Sequence, residues 1–275
     1  MIGASGILDA TRPMDYENLR VEKIGHVALV TFNRPDKANA LNYAHLAEIE
    51  HLALSFRDEA DIRVVIFTGT GKHFSSGADL SDPGTEYQGP LVSRRRKIRM
   101  GERAINALLG IDQITIAAWN GGALGGGACI TTACDFRIGA DDCFMQYPEI
   151  DIGVNLQWKS LPLITHLAGP VRAKRLVAGG ERIHAQTLLD WGVLDEMVPL
   201  DDLLPTAQRL ADFYANKPPI AVQMIKRSVN AITGALDQSI MHMDSDQNML
   251  ASTSEDQKEA VRSYLDKTKP TFTGE

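Results

Sequence analysis

The segment GGALGGGACI occupies residues 121–130 and contains five glycines. It follows a short apolar run, residues 114–119, that predicts a strand, and it leads into a predicted helix at residues 128–133. A simple turn between a strand and a helix needs fewer glycines than this. The surplus favours a site where the backbone approaches a ligand so closely that a Cβ would interfere. The free N–H groups of the following helix would then point at an anion or a developing oxyanion.

Two better-known glycine-rich motifs do not fit this segment. The dinucleotide-binding pattern GxGxxG does not occur in it, and no ribose-binding acidic residue follows at the expected distance. A phosphate-binding P-loop would require GK followed by Ser or Thr, which is also missing. An oxyanion hole is the interpretation that remains.

The composition indicates a globular chain that is large enough for an enzyme. Of its 275 residues, 44% are apolar and 23% are charged, and the net charge is -7. Such a charge repels nucleic acid and anionic membranes, so we predict neither as a partner. The N-terminal residues lack the basic and apolar regions of a signal peptide, and no uncharged apolar run approaches about 18 residues. We therefore predict a cytoplasmic protein.

Neither the cysteines nor the histidines form a recognisable metal-binding frame. Cys129, Cys134 and Cys143 have the wrong spacing for CxxC or a zinc knuckle, which predicts reduced thiols. The seven histidines are scattered, and no HExxH pattern is present. We predict no metal site.

Strands and helices alternate along the first two thirds of the chain, which predicts a mostly parallel α/β sheet with right-handed crossovers. The predicted strands are one strand or a strand pair at residues 21–32, then residues 64–68, 114–119 and 135–138. A helix at residues 42–57 should have Asn42 as its N-cap. From about Trp158 onward, the pattern predicts helices only. The expected parts are an N-terminal extension (1–15), an α/β core (16–205) and a C-terminal helical region (206–275).

Four strings in order carry a resemblance to a known family: NRPDKANAL (33–41), FSSGADL (74–80), NGGALGGGACITTACD (120–135) and YPEIDIG (147–153). Together they resemble the crotonase, or enoyl-CoA hydratase/isomerase, superfamily over nearly the whole chain, and YLDKTKPTF (264–272) is similar to the family's closing segment. The resemblance implies a spiral of ββα repeats with a C-terminal helical trimerisation region, and a homotrimer or a dimer of trimers. It also implies an acyl-CoA substrate, with coenzyme A as part of the substrate and no separate cofactor.

The resemblance assigns the oxyanion hole to the backbone N–H groups of Ala78 and Gly126. Fixed donors of this kind in a dry site stabilise an enolate by about 3 kcal/mol each. Hydratases of the family use two glutamates, but here only the second is present, as Glu149, and Cys129 replaces the first. Cys129 could be an activated thiol at a helix N-terminus, or a small buried residue, which is the interpretation we favour. Without the resemblance, Glu149 would be taken as a solvated turn carboxylate.

A second departure from the family pattern follows Glu149, where the chain reads GVNLQWKSLP. Gln157 could orient a water or a substrate hydroxyl, or be an exposed residue at a helix start. Trp158 could line a pocket for a bulky or cyclic acyl group, or belong to the core. Further CoA contacts are implied for Lys37, Ala38, Ser76, Ala78, Asp79, Leu80, Lys267 and Lys269. The alternative for each lysine is an ordinary solvated side chain.

One glutamate suits a reaction in which a single base removes and redelivers a proton. We therefore predict an enzyme of enoyl-CoA hydratase/isomerase type that acts on acyl-CoA thioesters through an enolate, with Glu149 as base and acid. The alternatives are a carbon–carbon lyase or hydrolase that uses the same enolate, and a non-catalytic member that binds acyl-CoA.

Overall fold

The computed structural model describes residues 15–82 and 89–275, so the predicted N-terminal extension lies almost entirely outside the described residues. The larger of its two sheets has six strands in the order β1-β2-β3-β5-β7-β10. They are β1 (Leu19–Ile24), β2 (Val27–Phe32), β3 (Val64–Gly69), β5 (Ile114–Trp119), β7 (Phe136–Ala140) and β10 (Glu196–Val198). The first two strands pair antiparallel, and all other neighbours in this sheet are parallel.

The smaller sheet has four strands in the order β4-β6-β8-β9. They are β4 (His73–Ser75), β6 (Gly122–Leu124), β8 (Phe144–Gln146) and β9 (Ile183–His184). Three times in succession, a strand of the larger sheet is followed by a strand of the smaller one and then by helical structure. This strand–strand–helix order is the one that the sequence resemblance implies.

Helices connect the strands and make up the C-terminal part of the chain. They are α1 (Tyr43–Ser55), α2 (Leu91–Ile98), α3 (Met100–Leu109), α4 (Gly126–Ala133), α5 (Ser160–Ala168), α6 (Pro170–Val177), α7 (Ala185–Asp190), α8 (Leu203–Ala215), α9 (Pro219–Thr233), α10 (Gln238–Met241), α11 (Asp244–Ala251) and α12 (Glu255–Asp266). Short 3-10 helices span Pro35–Lys37, Phe56–Asp58, Pro148–Ile152 and Leu200–Asp202. None of the helices among these residues is long and apolar enough to cross a membrane.

The structure confirms the α/β class and most of the predicted elements. Residues 21–32 form a strand pair, and Asn42 caps α1 by accepting a hydrogen bond from the His45 N–H at 2.8 Å. Helix α4 begins at Gly126, two residues earlier than predicted, because glycine lowers helix propensity without preventing a helix.

The prediction of helices only after Trp158 is wrong, since β9 and β10 lie in that region. β9 has two residues and β10 has three, too few for an alternating pattern to be visible in the sequence. They form because partners are available, as β9 pairs with β8 and β10 pairs with β7.

The core lies around the central strands of the larger sheet. All six residues of β5 are buried, as are five of six in β3, which explains why these segments read as continuous apolar runs. Helix α8 packs against the same strands. Trp119, at the end of β5, is fully buried and donates its indole N–H to the Gly121 carbonyl at 2.9 Å. The first glycines of residues 121–127 are thereby fixed directly to the core.

A buried ion pair fastens α9 to the starts of β5 and β7. The Lys226 ammonium lies 2.6 Å from the Asp135 carboxylate and donates to the Gln113 carbonyl at 2.7 Å. Asp135 also accepts hydrogen bonds from the backbone N–H and the hydroxyl of Thr115. Each charge therefore has its opposite charge and at least one further hydrogen bond, which helps to offset the cost of burying the pair.

Replacement of Lys226 by Met should lower the free energy of unfolding by about 3 kcal/mol, because Asp135 would be left charged and without a cation. The measurement is urea denaturation. Arg227→Met is the matched control, since Arg227 pairs with Asp112 at 2.6 Å but is 71% exposed, and exposed pairs contribute about 1 kcal/mol or less. Equal losses in the two variants would contradict the assignment.

Candidate active site

The segment at residues 33–41 forms a loop with an unusual backbone. Ala38 and Asn39 both have positive φ angles, 49° and 54°, a conformation that residues other than glycine seldom adopt. The buried Asn39 side chain stabilises it. Its amide donates to the carbonyls of Thr70 (2.9 Å) and His73 (2.8 Å), and its oxygen accepts the Arg34 N–H at 2.9 Å. The loop is thus held rigidly beside β4.

This loop is hydrogen-bonded to the segment that follows β4. The Ser76 N–H donates to the Ala38 carbonyl at 2.9 Å, and the Leu41 N–H donates to the Gly77 carbonyl at 2.8 Å. These hydrogen bonds bring Lys37 and Ala38 beside Ser76 and Ala78, four of the residues that the resemblance assigns to CoA binding. Ala78 is exposed, and within the described ranges its backbone N–H donates to no other group.

Asp79 and Leu80, which the resemblance assigns to CoA binding, differ in their surroundings. Asp79 is buried and lies 3.0 Å from the Arg34 guanidinium, and the Ser81 hydroxyl also donates to it. Although burial acts in the opposite direction, the hydrogen bonds from Ser81 and Arg34 hold the pKa of Asp79 below its usual range. Its carboxylate thus anchors the loop. Leu80 is 64% exposed beside it.

The glycine-rich segment allows this loop to pack against the N-terminus of α4. A Cβ on Gly77, whose φ is 86°, would lie 2.6 Å from the Leu124 carbonyl oxygen and 3.2 Å from the Gly126 nitrogen. A Cβ on Gly127 would lie 2.4 Å from the Ser75 carbonyl oxygen. Only glycines permit these contacts. As a result, Gly77, the residue before Ala78, packs beside the backbone nitrogen of Gly126, which lies in the first turn of the helix, where an N–H has no partner within the helix.

Glu149 reaches the same place from the 3-10 helix Pro148–Ile152. One of its carboxylate oxygens lies 2.8 Å from where a Cβ on Gly125 would be. The other, Oε2, is buried and has no hydrogen-bond partner among the residues described. Burial raises the pKa of Glu149 to about 7, and the nearby Asp151 carboxylate contributes. The interpretation of Glu149 as a solvated turn residue does not fit this environment.

Cys129 lies one turn into α4 and is only 1% exposed. Burial, assisted by the charge of Glu149, raises the pKa of its thiol well above the usual value. The thiol therefore stays protonated at neutral pH, even though it is close to a helix N-terminus. This environment agrees with a small buried residue and disagrees with an activated nucleophile.

Gln157 and Trp158 line a cavity of about 110 Å³ together with Ala78. Trp158 is 8% exposed, so it belongs to the core, and it also forms part of the cavity wall. The Gln157 side-chain oxygen is buried and has no partner among the described residues. The other residues around the cavity are Leu41, Asn42, Tyr43, Leu46, Asp79, Asp82, Ile98 and Gly101.

The sequence does not single out the α3 wall of this cavity. Gly101 lies in α3, and a Cβ on it would be 1.9 Å from the Trp158 indole. One signal was available, because a glycine inside a helical pattern often has a packing reason. The local sequence does not reveal its partner, which is 57 residues further along.

The three lysines that the resemblance assigns to CoA binding differ in position, since Lys37 belongs to the loop beside Ser76 and Ala78 and the other two lie near the C-terminus. Lys37 is exposed, and Lys267 and Lys269 are exposed after the end of α12. No hydrogen bond or ion pair joins either of these C-terminal lysines to residues 37–38 or 76–80 in the described part of the chain. Over the same residues, no group of three His, Cys, Asp or Glu side chains is placed to hold a metal ion.

Comparisons with known proteins identify the family of this chain. A sequence profile of the enoyl-CoA hydratase/isomerase family matches residues 22–275, and the chain belongs to this family. It is 30% identical to a short-chain-enoyl-CoA hydratase of Clostridium acetobutylicum, over 93% of this chain and 97% of the relative.

Two further comparisons extend this result. The chain is 30% identical to a crotonyl-CoA hydratase of Syntrophomonas wolfei, over 94% and 99% of the two chains. The fold is shared with the crystal structure of an enoyl-CoA hydratase from Mycobacterium avium subsp. paratuberculosis, with a TM-score of 0.83 and 24% identity over 94% and 100% of the chains. The protein is therefore an enzyme of the hydratase/isomerase family.

Replacement of Gly77 by Ala should lower kcat/KM by about 100-fold, because the added methyl group would push the segment of Ala78 away from Gly126 and misplace one donor. Steady-state kinetics on an acyl-CoA substrate measure this. Gly169→Ala is the matched control. Gly169 has a similar φ of 79°, but a Cβ there would meet nothing within 4 Å. A similar loss of activity in both variants would indicate backbone strain alone.

Proposed function

We propose that this enzyme forms the enolate of an acyl-CoA thioester and that Glu149 moves the proton. The observation that carries the proposal is the buried and unpartnered Oε2 of Glu149, on a carboxylate that touches the glycine turn before Gly126. A buried acceptor without a partner is costly in a folded protein, and it is expected where a substrate completes the hydrogen bonding.

In the proposed reaction, the thioester oxygen binds between the N–H groups of Ala78 and Gly126. The Glu149 carboxylate removes a proton from the adjacent carbon, and the electron pair of that C–H bond moves into the enolate. The two donors stabilise the negative charge that develops on the oxygen. Glu149 then returns the proton to a carbon of the conjugated system. A base with a pKa of about 7 suits both transfers at neutral pH.

The properties of Cys129 favour a reaction in which a single base transfers the proton. They argue against hydration by two carboxylates, the mechanism that hydratases of the family use. Its protonated, buried thiol has neither the basicity nor the exposure needed to activate water. Hydration remains the second candidate, because Gln157 lines the cavity that Ala78 also lines and its buried side-chain oxygen has no partner among the described residues. The names of the two relatives, both hydratases, favour this candidate as well.

The nucleotide part of CoA carries several negative charges, and this protein has a net charge of -7. The proposal therefore includes local binding of the phosphates by basic residues. Lys37 is adjacent to the loop that presents Ala78, and Lys267 and Lys269 follow α12. No separate cofactor takes part in the proposed reaction, since coenzyme A belongs to the substrate.

The proposal includes the trimer, or dimer of trimers, that the family resemblance implies. Its support is the C-terminal region, where several large apolar side chains are exposed in the single chain. Ile220, Met224, Ile225, Val229 and Ile232, all on α9, are 50% to 78% exposed, and burial of such a surface stabilises an assembly. Light scattering should give a mass of three or six chains, and a monomer at micromolar concentration would contradict this part.

Deuterium exchange tests the chemistry without knowledge of the natural acyl group. The wild-type enzyme, incubated with butyryl-CoA in D₂O, should exchange the hydrogens on the carbon next to the thioester. Glu149→Gln should reduce the exchange rate by at least about 100-fold while still binding the ligand. The readout is mass spectrometry of the recovered thioester.

Cys129→Ala is the matched control and should keep exchange within a few-fold of the wild-type rate. Exchange that survives in Glu149→Gln but disappears in Cys129→Ala would reverse the roles proposed here. Binding without any exchange in the wild type would instead indicate the non-catalytic member. Crotonyl-CoA in ¹⁸O-labelled water separates hydration from isomerisation, because only hydration incorporates the label.

The pKa of Glu149 also predicts a pH dependence. The carboxylate is the base, so kcat/KM should rise about tenfold per pH unit below pH 7 and level off above it. The folded-state pKa, about 7, lies above the ordinary 4.5. Relative to Glu149→Gln, the wild type should therefore lose stability as the pH rises from about 4.5 to above 7, by up to about 3 kcal/mol. A flat pH profile would contradict the assignment.

A further inference from the structure

We infer that Trp158 determines the size of the acyl group, and that it excludes aryl and branched groups from the space beside the oxyanion hole. This inference rests on the proposed function, because it takes Ala78 and Gly126 as the donors to the thioester. It assigns to Trp158 a part in specificity and none in proton transfer.

The position of the indole carries the inference. A Cβ on Gly126 would lie 2.1 Å from its Cζ3 atom, and a Cβ on Gly101 would lie 1.9 Å from its Cε2 atom. The ring therefore lies between the first turn of α4 and the first turn of α3, against two residues without side chains. It touches the residue of one donor and lines the same cavity as the other, Ala78.

In the proposed complex, a thioester oxygen bound between those donors would place its acyl carbons in this cavity, because Ala78 lines it and Gly126 touches the Trp158 ring that forms its wall. Apolar side chains of Leu41, Leu46 and Ile98 also line it, as an acyl pocket requires. Its volume of about 110 Å³ is small beside the roughly 300–1,000 Å³ of ordinary ligand pockets. The indole occupies the space that would enlarge it toward α3. The substrate class that fits is a CoA thioester with a short, unbranched acyl group.

The backbone at Trp158 is built to hold the ring in this place. Trp158 and Lys159 have φ angles of 60° and 58°, two consecutive left-handed residues. The Lys159 N–H donates to the Asp244 carboxylate at 2.9 Å, and the Ser160 hydroxyl donates to the Trp158 carbonyl at 3.2 Å. Asp244 is only 1% exposed. It acts as a positioning residue, because it fixes the turn and does not reach the cavity wall itself.

Binding of saturated acyl-CoA ligands tests the inference separately from catalysis. Dissociation constants for acetyl-CoA, butyryl-CoA and phenylacetyl-CoA are measured by calorimetry for the wild type and for Trp158→Ala. Removal of a buried aromatic side chain leaves an apolar cavity, and such cavities accept benzene-sized groups. The wild type should prefer butyryl-CoA to phenylacetyl-CoA. In Trp158→Ala, this preference should shift toward phenylacetyl-CoA by at least about tenfold, since several apolar carbons gain a buried site.

A second variant guards against loss of folding, because Trp158→Ala removes a large core side chain. Trp158→Leu keeps part of the packing and should shift the preference in the same direction by a smaller factor. Trp191→Ala is the matched control. The indole of Trp191 lies 5.4 Å from the guanidinium groups of Arg172 and Arg175, outside the cavity, and its removal should leave the preference unchanged.

The outcomes separate this inference from the proposed function. A wild type that binds acyl-CoA and exchanges deuterium, but whose preference is the same in both Trp158 variants, would overturn the role of Trp158 alone. Wild-type affinity for phenylacetyl-CoA equal to that for butyryl-CoA would do the same. A wild type that binds no acyl-CoA at all would overturn both.

Discussion

The site depends on one steric constraint, which is that the segment after β4 must touch the first turn of α4. Gly77 and Gly127 meet carbonyl oxygens from the opposite segment at distances where a Cβ would be 2.6 Å and 2.4 Å away. Neither contact tolerates a side chain. The glycine-rich segment is therefore explained by the close approach of two backbones as much as by the approach of a ligand. This packing brings two N–H donors from segments about 50 residues apart into one place.

Three carboxylates of the protein differ in how completely they are paired. Asp79 is fully engaged with Arg34 and Ser81, and its pKa is held low. Asp135 is likewise engaged by Lys226. Glu149 is different, since burial raises its pKa and one of its oxygens has no partner in the described structure. Perturbed titration of a group in a cleft is typical of functional sites, whereas fully bonded carboxylates are typical of scaffolds.

What the sequence predicted well is what local pattern controls. The apolar runs of β3 and β5 and the Asn42 cap depend on neighbours within a few residues, and all three are confirmed. β9 and β10 were missed because pairing with distant strands creates them. Lys226 shows no sign of burial in the sequence, since a lysine on an amphipathic helix is usually solvated. The roles given to Ala78 and Gly126 came from the family resemblance, because no local rule predicts that two loops converge.

The turn at Trp158 shows why the finer features of the site escaped prediction. Left-handed backbone costs roughly 1–2 kcal/mol per residue in residues other than glycine. The sequence QWKS (157–160) contains no pattern that predicts two such residues in succession. The left-handed conformation of Trp158 and Lys159 is stabilised by a residue that lies far along the chain. Asp244 in α11 accepts the Lys159 N–H, and burial raises its pKa only to about 6, so it is ionised at neutral pH. A hydrogen bond to a charged group contributes about 1.5–3 kcal/mol, which is enough to offset much of the strain.

The same C-terminal region supports Glu149, because a Cβ on Gly153 would lie 2.7 Å from the Gln257 Cα in α12. The helices after residue 206 are thus part of the site's construction, since they hold both the pocket wall and the segment that carries Glu149.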